Sequence, residues 1–373
     1  MRPLKLCFVG WGDHVHLERW AGYFARTGDE VSILSMGGEG DYPAGVRQYV
    51  LRNSKRRPVL ADAEMRVLLW RLRPQIVHVH WAHFAVPVVR VWNGPLAITA
   101  WGSDIYRQDE FTPSRWTSMR NALSRANLVT CDSEDLGRAL HTRCGVDEAS
   151  VKIVQWGIDT NAFAPGPSKF AEELGIAGRP VVFSARNFAP VYNLETVVDA
   201  FALARRSVPS AFLLMKSYAP EPDYAKAIRN RIAALGLERD THIVEAIDYA
   251  RMPDLYRAAK VTVSVPHSDA TPMSMLEAMA CGSLPLFSDL PSLREWIVDG
   301  DNGSLAAATD TEGVAQRMVR ALTDDAFCAR AAAINRDLVV ERASQSVHMQ
   351  HCRGLYLDAI ERAGSVKPAM SAK

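Results

Sequence analysis

The sequence predicts two α/β domains of the Rossmann type, each built on a parallel sheet. Three observations lead to this prediction. Short apolar runs alternate with longer segments of helical spacing, the alternation restarts after a Gly- and Pro-rich segment, and 373 residues exceed the length at which single cores usually stop growing. Nearly half of the residues are apolar, so both domains can hold a large core.

Buried parallel strands carry continuous apolar runs because helices cover both faces of their sheet. In the first half of the chain, such runs occupy residues 4–9, 31–34, 76–79, 96–99, 128–131 and 151–154. Segments with helical spacing, at residues 17–27, 61–72 and 115–124, lie between them. Strand and helix therefore alternate, which is typical of a doubly wound domain.

The second half repeats this pattern, with apolar runs at residues 181–185, 212–215, 242–245, 261–265 and 284–287. Residues 156–167 are rich in Gly and Pro and lack periodicity, which is typical of a linker. We therefore predict one domain over residues 1–166 and a second over residues 167–345. Residues 346–373 are expected to form a helix that packs back toward the first domain and ends in a frayed tail.

The charge balance excludes some classes of partner. With 43 Lys and Arg against 42 Asp and Glu, and no basic stripe interleaved with aromatics, a nucleic-acid partner is not expected. No apolar run is long enough to span a bilayer, so we expect at most peripheral membrane contact. Residues 53–58 form the one compact basic cluster, which could bind an anionic lipid or a phosphorylated acceptor, or be a solvated loop.

The six cysteines are scattered and include no C-x-x-C pair, which favours reduced side chains in a cytoplasmic protein. The apolar stretch at residues 6–9 is too short for a signal peptide. Asp299 and Asp301 spell D-x-D in a Gly-rich turn, but nothing else in the sequence supplies ligands around them. We expect no metal site.

Ligands of open α/β sheets bind at the carboxyl ends of strands, so the residues after each run carry the most information. Thr271 is predicted to cap a helix that begins at Pro272, and Gly282 to end it in the left-handed conformation. The helix N-terminus would favour a phosphate or a polar sugar, and Glu277 would accept a hydrogen bond from a ribose or sugar hydroxyl. Alternatively, Ser274 and Glu277 form a capping box and nothing more.

Two cations follow strands of the second domain. Arg186 comes directly after the run at residues 181–185, and its guanidinium can bind phosphate oxygens in a bidentate way. Lys216 ends the next run and either adds a second positive charge or is a solvated lysine. In the first domain, Gly10 and Gly12 follow the first strand and would let the loop approach a ligand closely.

Asp269 and Glu277 are separated by seven residues and followed by Ala-Met-Ala-Cys-Gly. This segment resembles the E-x7-E motif of retaining glycosyltransferase family 4, the glycosyl transferases group 1. The resemblance implies the GT-B fold, in which two Rossmann-like domains have parallel sheets facing a central cleft. It assigns acceptor binding to the N-terminal domain and nucleotide-sugar binding to the C-terminal domain.

For the second domain, the resemblance implies that Asp269 and the adjoining loop amides hold the donor sugar, that Glu277 binds the ribose and that Arg186 clamps the diphosphate. Tyr192 and Asn193 stand where the family commonly has Lys-Gly, so Lys216 is a candidate for the missing charge. The donor-side candidates are Gly12, Arg186, Asn187, Lys216, Asp269, Ala270, Thr271, Pro272, Met273, Ser274 and Glu277.

For the first domain, the resemblance implies that the loop after the first strand touches donor phosphate and acceptor, with ordinary loop histidines as the alternative. Residues 100–105 resemble the family's HG-x-D segment, and Trp101 stands where many members have a His near the reacting carbon. The role of that His could pass to Asp104, to His16 or to the strand end at residues 78–81. The acceptor-side candidates are His14, His80, Trp81 and Trp101, and the catalytic candidates are Asp104, Arg186, Asp269 and His16.

The implied reaction transfers a sugar from a nucleotide-diphosphate-sugar to an acceptor hydroxyl with retention of configuration and without a metal. A UDP-sugar is favoured over a GDP-sugar, and no cofactor is expected beyond this co-substrate. The acceptor could be a small molecule, a glycan or a lipid-linked compound. Two alternatives stay open: a nucleotide-sugar epimerase or phosphorylase, and a sugar-nucleotide-binding protein with weakened catalysis.

Overall fold

The computed structural model describes residues 2–51, 58–218, 220–245 and 247–365. The chain forms two compact units. The N-terminal unit comprises Met1–Trp156 and Ser346–Lys373, and the C-terminal unit comprises Gly157–Gln345. Each unit is an α/β structure on a single parallel sheet, which confirms the predicted fold class.

Seven strands form the sheet of the N-terminal unit: β1 (Lys5–Gly10), β2 (Glu30–Ser35), β3 (Arg47–Val50), β4 (Ile76–His80), β5 (Leu96–Thr99), β6 (Leu128–Cys131) and β7 (Val151–Ile153). They lie in the order β3-β2-β1-β4-β5-β6-β7 and pair in parallel. The chain winds outward from β1 to one edge and from β4 to the other. The winding direction therefore reverses between β1 and β4.

Six strands form the sheet of the C-terminal unit: β8 (Val181–Ser184), β9 (Phe212–Lys216), β10 (Thr241–Val244), β11 (Val261–Ser264), β12 (Leu284–Ser288) and β13 (Ser304–Ala306). They lie in the order β10-β9-β8-β11-β12-β13, again in parallel. Here the winding direction reverses between β8 and β11. All residues of these two central strands are buried.

Helices connect the strands in both units. Those of the N-terminal unit are α1 (Val15–Arg26), α2 (Pro58–Leu72), α3 (Ala85–Val91), α4 (Ser103–Tyr106), α5 (Pro113–Leu123) and α6 (Glu134–Cys144). Those of the C-terminal unit are α7 (Lys169–Glu173), α8 (Leu194–Ser207), α9 (Pro222–Ala234), α10 (Met252–Ala258), α11 (Met273–Cys281), α12 (Thr311–Thr323) and α13 (Asp325–Arg342). The last helix, α14 (Gln345–Ser365), runs from the end of the C-terminal unit into the N-terminal unit.

Two strands of the structure were not predicted from the apolar pattern. β3 has the sequence Arg-Gln-Tyr-Val and lies at the edge of its sheet, where its residues are only partly covered. β13 has three residues and lies at the edge of the other sheet. β3 is only partly buried and therefore lacks a continuous apolar run, whereas β13 is buried but too short to form one.

The N-terminal unit ends at Trp156, upstream of the boundary predicted at residue 166. Backbone bonds join Ile158 to Ala343 at 2.9 Å and to Gln345 at 3.0 Å, which ties this segment to the C-terminal unit. Gly157 has a φ of +64°, and a Cβ at this position would meet the Ala343 carbonyl oxygen at 2.6 Å. Gly157 is therefore required by close packing within the C-terminal unit.

From Ser346 onward, α14 packs in the N-terminal unit. Arg353 forms a bidentate ion pair with the buried Asp29, at 2.9 and 3.0 Å. Tyr356 is fully buried and accepts a hydrogen bond of 3.1 Å from Trp20 Nε1. In the described part of the chain, no helix combines the length and apolar character that crossing a bilayer requires.

Candidate functional site

Each unit places candidate site residues where its winding direction reverses. At this position the loops after the two central strands diverge and leave a crevice for ligands. In the C-terminal unit, Arg186 follows β8 and Asp269 follows β11. In the N-terminal unit, His14 and His16 follow β1, and Trp81 directly follows β4.

In the C-terminal unit, three neighbours orient Arg186. Its Nε donates to Ser264 Oγ at 2.7 Å, and a terminal nitrogen forms an ion pair with Asp269. The guanidinium carbon lies 5.1 Å from the centre of the Tyr192 ring. Because both charged groups are largely shielded from solvent, this pair holds a cation in a fixed orientation at the sheet edge.

Asp269 depends on this cation for its charge. Burial raises the pKa of Asp269, while the positive charge and the hydrogen bond of Arg186 oppose this rise. The carboxylate also accepts a 3.1 Å hydrogen bond from the Ala270 N–H, and the Ser292 hydroxyl donates to the Asp269 carbonyl at 2.8 Å. The loop after β11 is therefore held at both its side chain and its backbone.

Helix α11 begins one residue later than predicted. Its N-cap is Pro272 rather than Thr271, because Pro272 has an extended backbone and its carbonyl accepts the Met275 N–H at 3.0 Å. The predicted end is confirmed, since Gly282 has a φ of +85°. The first-turn amides, which include those of Met273 and Ser274, have no partner within a helix. Ser274 Oγ is buried and has no hydrogen-bond partner among the described residues.

Glu277 is buried, and two tyrosines hold its carboxylate. The Tyr249 hydroxyl donates to Oε1 at 2.6 Å, and the Tyr256 hydroxyl donates to Oε2 at 2.8 Å. Helix α11 has no side-chain cap, so the capping-box alternative with Ser274 is wrong. Each carboxylate oxygen can accept more than one hydrogen bond.

Two further donor-side candidates lie at the ends of β8 and β9. Burial lowers the pKa of Lys216, and the negative charge of Glu277 opposes this change. Lys216 Nζ lies 5.3 Å from the centre of the Tyr218 ring. Asn187 Oδ1 accepts the Tyr218 N–H at 2.8 Å and so joins the loops after the two strands.

In the N-terminal unit, the loop after β1 packs against its own chain. The Gly12 N–H donates to Ser35 Oγ at 3.0 Å and to the Gly37 carbonyl at 3.2 Å. A Cβ on Gly12 would meet Ser35 Oγ at 2.4 Å. Gly12 therefore allows its own loop to approach the loop after β2, where the prediction was an approach to a ligand. Its amide is bonded to that loop.

His14 and His16 pack against tryptophans. His14 is the N-cap of α1 and accepts the His16 N–H on Nδ1 at 3.3 Å. Burial lowers the pKa of His14 to about 4. The ring of His16 stacks on Trp101 at 4.8 Å with an interplanar angle of 8°, and meets the Trp156 ring edge-on at 3.8 Å. Both histidines thus belong to an aromatic cluster.

The end of β4 extends this cluster into the core. Burial lowers the pKa of His78 to about 3 and that of His80 well below its ordinary value. His78 lies between Tyr356 Oη, at 2.6 Å, and Thr99 Oγ1, at 2.7 Å. His80 is fully buried, and neither ring nitrogen has a hydrogen-bond partner among the described residues.

Trp81 has a φ of +67°, a strained backbone conformation for a bulky residue. Its ring stacks on Trp101 at 5.5 Å, so Trp101 lies between Trp81 and His16. Strain of this kind persists only where surrounding contacts enforce it, and it is often found at ligand sites.

Asp104 joins the loops after β4 and β5. Its Oδ2 accepts the Ala82 N–H at 2.6 Å, and its Oδ1 accepts the Trp101 N–H at 2.9 Å. Burial raises the pKa of Asp104 to about 6, against the effect of these backbone hydrogen bonds. Both carboxylate oxygens are bonded to backbone, so the structure gives Asp104 a positioning role for Trp101.

Several residues of these sites were not predicted from the sequence. Ser264, Tyr249 and Tyr256 touch Arg186 or Glu277 from other elements, and Trp156 packs against His16 and Trp101. No spacing in the sequence links them to the motif residues, because the contacts are long-range.

Two other predicted features have different outcomes. The basic cluster at residues 53–57 lies outside the described residues, and only Pro58 of the predicted segment is described. Asp299 Oδ1 accepts the Leu305 N–H at 2.9 Å. Within the described ranges, no group of three or more His, Cys, Asp or Glu side chains is arranged to hold a metal ion.

Comparison with known families decides the relationship. Residues 168–337 match the family described as "Glycosyl transferases group 1", and residues 12–162 match "Glycosyltransferase Family 4". The first match covers all six strands of the C-terminal sheet, and the second covers β2 to β7 of the N-terminal sheet. The chain belongs to glycosyltransferase family 4, group 1. This confirms the resemblance stated from the motifs around Asp269 and Glu277.

Curated members of the family are about a quarter identical to this chain over the aligned residues. The D-inositol 3-phosphate glycosyltransferase of Gordonia bronchialis is 25% identical over 198 residues, which is 51% of this chain and 43% of that protein. The alpha-maltose-1-phosphate synthase of Mycolicibacterium smegmatis is 28% identical over 221 residues, 56% of each chain. The chain thus spans about half the length of these relatives.

Solved structures share the fold of this chain. Anabaena HepE in complex with UDP and glucose superposes with a TM-score of 0.82 and 18% identity, over 95% of this chain and 100% of that chain. The sucrose-phosphate synthase of Thermosynechococcus elongatus has a TM-score of 0.81 and 16% identity, over 97% and 100%. The fold is therefore GT-B.

The structure explains one departure from the family pattern. Asn193 stands at the Gly of the usual Lys-Gly and has a φ of +52°, in the left-handed region that Gly and Asn tolerate best. Its Nδ2 donates to the carbonyls of Val265 and Ala308, both at 2.9 Å. Asn therefore preserves the turn and also fastens the end of β11. Tyr192, at the Lys position, packs against Arg186 instead of supplying a charge.

Proposed function

We propose that this family 4 glycosyltransferase transfers a sugar from a nucleoside-diphosphate sugar to an acceptor hydroxyl. The observation that carries the proposal is the ion pair of Arg186 and Asp269 beside the start of α11. An oriented guanidinium next to a helix N-terminus suits a diphosphate, because both supply N–H donors and positive potential. The buried, unpartnered Ser274 hydroxyl adds a polar group to this position.

In the proposed reaction, the bond between the anomeric carbon and the diphosphate oxygen breaks, and the acceptor oxygen bonds to the same carbon. Arg186, the first-turn amides of α11 and Lys216 would stabilise the negative charge that develops on the leaving diphosphate. The diphosphate competes with Asp269 for Arg186, which frees the carboxylate to accept hydrogen bonds from sugar hydroxyls. Glu277 would accept from the ribose hydroxyls.

We propose further that the reaction retains configuration and uses no metal. Front-face attack, with the acceptor proton passing to the leaving phosphate, requires no separate base. The candidate bases of the N-terminal unit support this proposal. Burial lowers the pKa of His14 and of His80, and aromatic rings surround both side chains. The carboxylate of Asp104 is bonded to backbone amides. Asp104 is then a positioning residue, and His16 is a contact residue for the acceptor.

We favour a UDP-sugar as donor, because structures of Anabaena HepE hold UDP and UDP-glucose. For the acceptor we propose a small hydroxylated molecule, by analogy with relatives whose names include inositol 3-phosphate and malate. We propose a cytoplasmic location, which is supported by the absence of disulfides among the cysteines of the described chain.

Calorimetric titration with UDP, GDP and ADP, in the presence and absence of EDTA, tests the donor site. We expect selective binding of UDP that EDTA does not change, and weaker binding in Arg186→Ala and Glu277→Gln. Arg231→Ala is the matched control, because Arg231 also pairs with an aspartate, Asp199, but on the surface of α8 and α9. Its nucleotide affinity should equal that of the wild type.

Turnover distinguishes the remaining possibilities. Release of UDP from UDP-sugar only when an acceptor is present supports transfer. Interconversion of the donor without an acceptor would instead support an epimerase, which the names of the relatives do not favour. Tight UDP-sugar binding with no turnover on any acceptor would support a binding protein, and no nucleotide binding at all would reject the donor site.

A further inference from the structure

Helix α2 of the N-terminal unit is apolar on both its inner and its outer side. On the outer side, Val59, Leu60, Val67 and Trp70 are exposed to 78%, 47%, 54% and 69%. The inner side packs in the unit through the buried side chains Ala61, Met65 and Leu69. Nothing in the described part of the chain covers the outer side.

The exposed side chains form one continuous stripe. Positions 59, 63, 67 and 70 follow the three- and four-residue spacing of a single helix face, and the stripe includes the exposed Ala63. A helix that is apolar all round is normally covered on every side. Exposed apolar patches of this kind mark contact sites for proteins or membranes.

The rim of this stripe is cationic. Arg66, Arg71 and Arg73 are all exposed at its border. Of the two acidic residues of α2, Asp62 is neutralised by Arg90 at 2.7 Å. Trp and Arg on an apolar helix face are typical of helices that lie in the headgroup region of a membrane, where Trp is anchored and Arg meets lipid phosphates.

We propose that the outer face of α2, formed by Val59, Ala63, Val67 and Trp70 with Arg66 and Arg71 at its border, docks on an anionic membrane surface. A second copy of the chain is the other possible occupant, but an isologous dimer would bring Arg66 and Arg71 of both copies to one seam, with Glu64 as the only acidic residue of α2 left to oppose them. Anionic headgroups complement the rim. The proposal does not depend on the transferase reaction, because vesicle binding requires no sugar.

Co-sedimentation of the full chain with lipid vesicles tests the proposal. The wild type should bind vesicles that contain phosphatidylglycerol, and should bind phosphatidylcholine vesicles at least about tenfold more weakly, since each arginine near the surface contributes on the order of 1 kcal/mol. Added salt should weaken binding through screening. Val67→Glu should lower binding by about tenfold or more, because it removes apolar burial and adds a repelled charge.

Val298→Glu is the matched control, since Val298 is 62% exposed in the C-terminal unit. It should bind vesicles as the wild type does. Both substitutions lie on the surface, so unchanged thermal unfolding verifies folding. Brominated lipid should quench the wild type more than Trp70→Phe, which isolates the contribution of Trp70.

Three results would overturn the proposal: no vesicle binding, equal binding to neutral and anionic vesicles, or equal losses in Val67→Glu and Val298→Glu. Concentration-dependent dimerisation without lipid that Val67→Glu abolishes would assign the face to a second copy instead.

Discussion

The buried hydroxyl of Tyr256 on α10 donates a 2.8 Å hydrogen bond to Glu277 on α11. This contact orients the carboxylate through Oε2, and the hydroxyl of the exposed Tyr249 donates a 2.6 Å hydrogen bond to Oε1. The two tyrosines differ in burial, but each donates one hydrogen bond to the carboxylate. Comparing their variants therefore shows whether ligand binding needs the buried hydrogen bond that orients Glu277 or is weakened by the loss of either bond.

Tyr256→Phe should weaken UDP binding by about tenfold and lower the free energy of unfolding by about 1.5–3 kcal/mol, because a buried charged acceptor loses its partner. Tyr249→Phe should change stability by less than about 1 kcal/mol, since water can replace its hydroxyl. Urea unfolding and calorimetry measure both effects. If Tyr256→Phe left UDP affinity unchanged, Glu277 would not depend on this contact for ligand binding.

Arg186→Ala should reduce kcat by about 100-fold or more, since it removes a charged donor aimed at the leaving group. Arg186→Lys should recover only part of this loss, because an ammonium cannot donate to Ser264 and to a phosphate in the same forked geometry. Initial rates at saturating donor measure the effect. Full activity of the lysine variant would mean that charge alone matters at this position.

Asp104→Asn should change how stability depends on pH. Burial raises the pKa of Asp104 to about 6, above its ordinary value, so the folded chain binds a proton that the unfolded chain has already lost. The free energy of unfolding of the wild type should therefore fall as the pH rises from about 4 to about 6, by at most about 3 kcal/mol from this group. The asparagine variant should lack this change.

Urea unfolding of both proteins across this pH range isolates the titration, because the other groups are common to both. At low pH the variant should already be less stable, since an asparagine amide cannot accept the N–H groups of both Ala82 and Trp101. Parallel pH profiles would show that Asp104 stays ionised throughout.

His80→Phe should stabilise the protein in acid. Burial lowers the pKa of His80 well below its ordinary value, so only the unfolded chain takes up this proton below about pH 6.5. Wild-type stability is therefore lost as the pH falls, and phenylalanine removes this loss while filling the same aromatic surroundings. The gap between variant and wild type should widen from pH 7.5 to pH 5.

The activity of His80→Phe carries separate information. A variant that is more stable but less active would indicate that His80 is retained for the acceptor, because its ring nitrogens make no hydrogen bond within the described chain. Normal activity would assign it to the aromatic core. Chemical unfolding and initial rates at one pH distinguish these outcomes.

Several parts of the fold could be predicted because they depend on local pattern. The buried strands were visible as apolar runs, since burial on both faces removes the need for polar alternation. The left-handed end of α11 at Gly282 was visible because the backbone there favours glycine. The edge strands β3 and β13 and the start of α11 left no such pattern, because β3 is only partly buried, β13 has three residues and Pro272 is extended.

The sequence by itself determined the α/β class, the family and the side chains that end each central strand, because these follow from periodicity and from a motif contained in one short segment. Only the tertiary structure decided what those side chains contact. Arg186 meets Ser264 across 78 residues of sequence, and His78 meets Tyr356 across 278. Such contacts depend on how the strands are ordered and on where α14 packs. The local spacing of residues predicts neither.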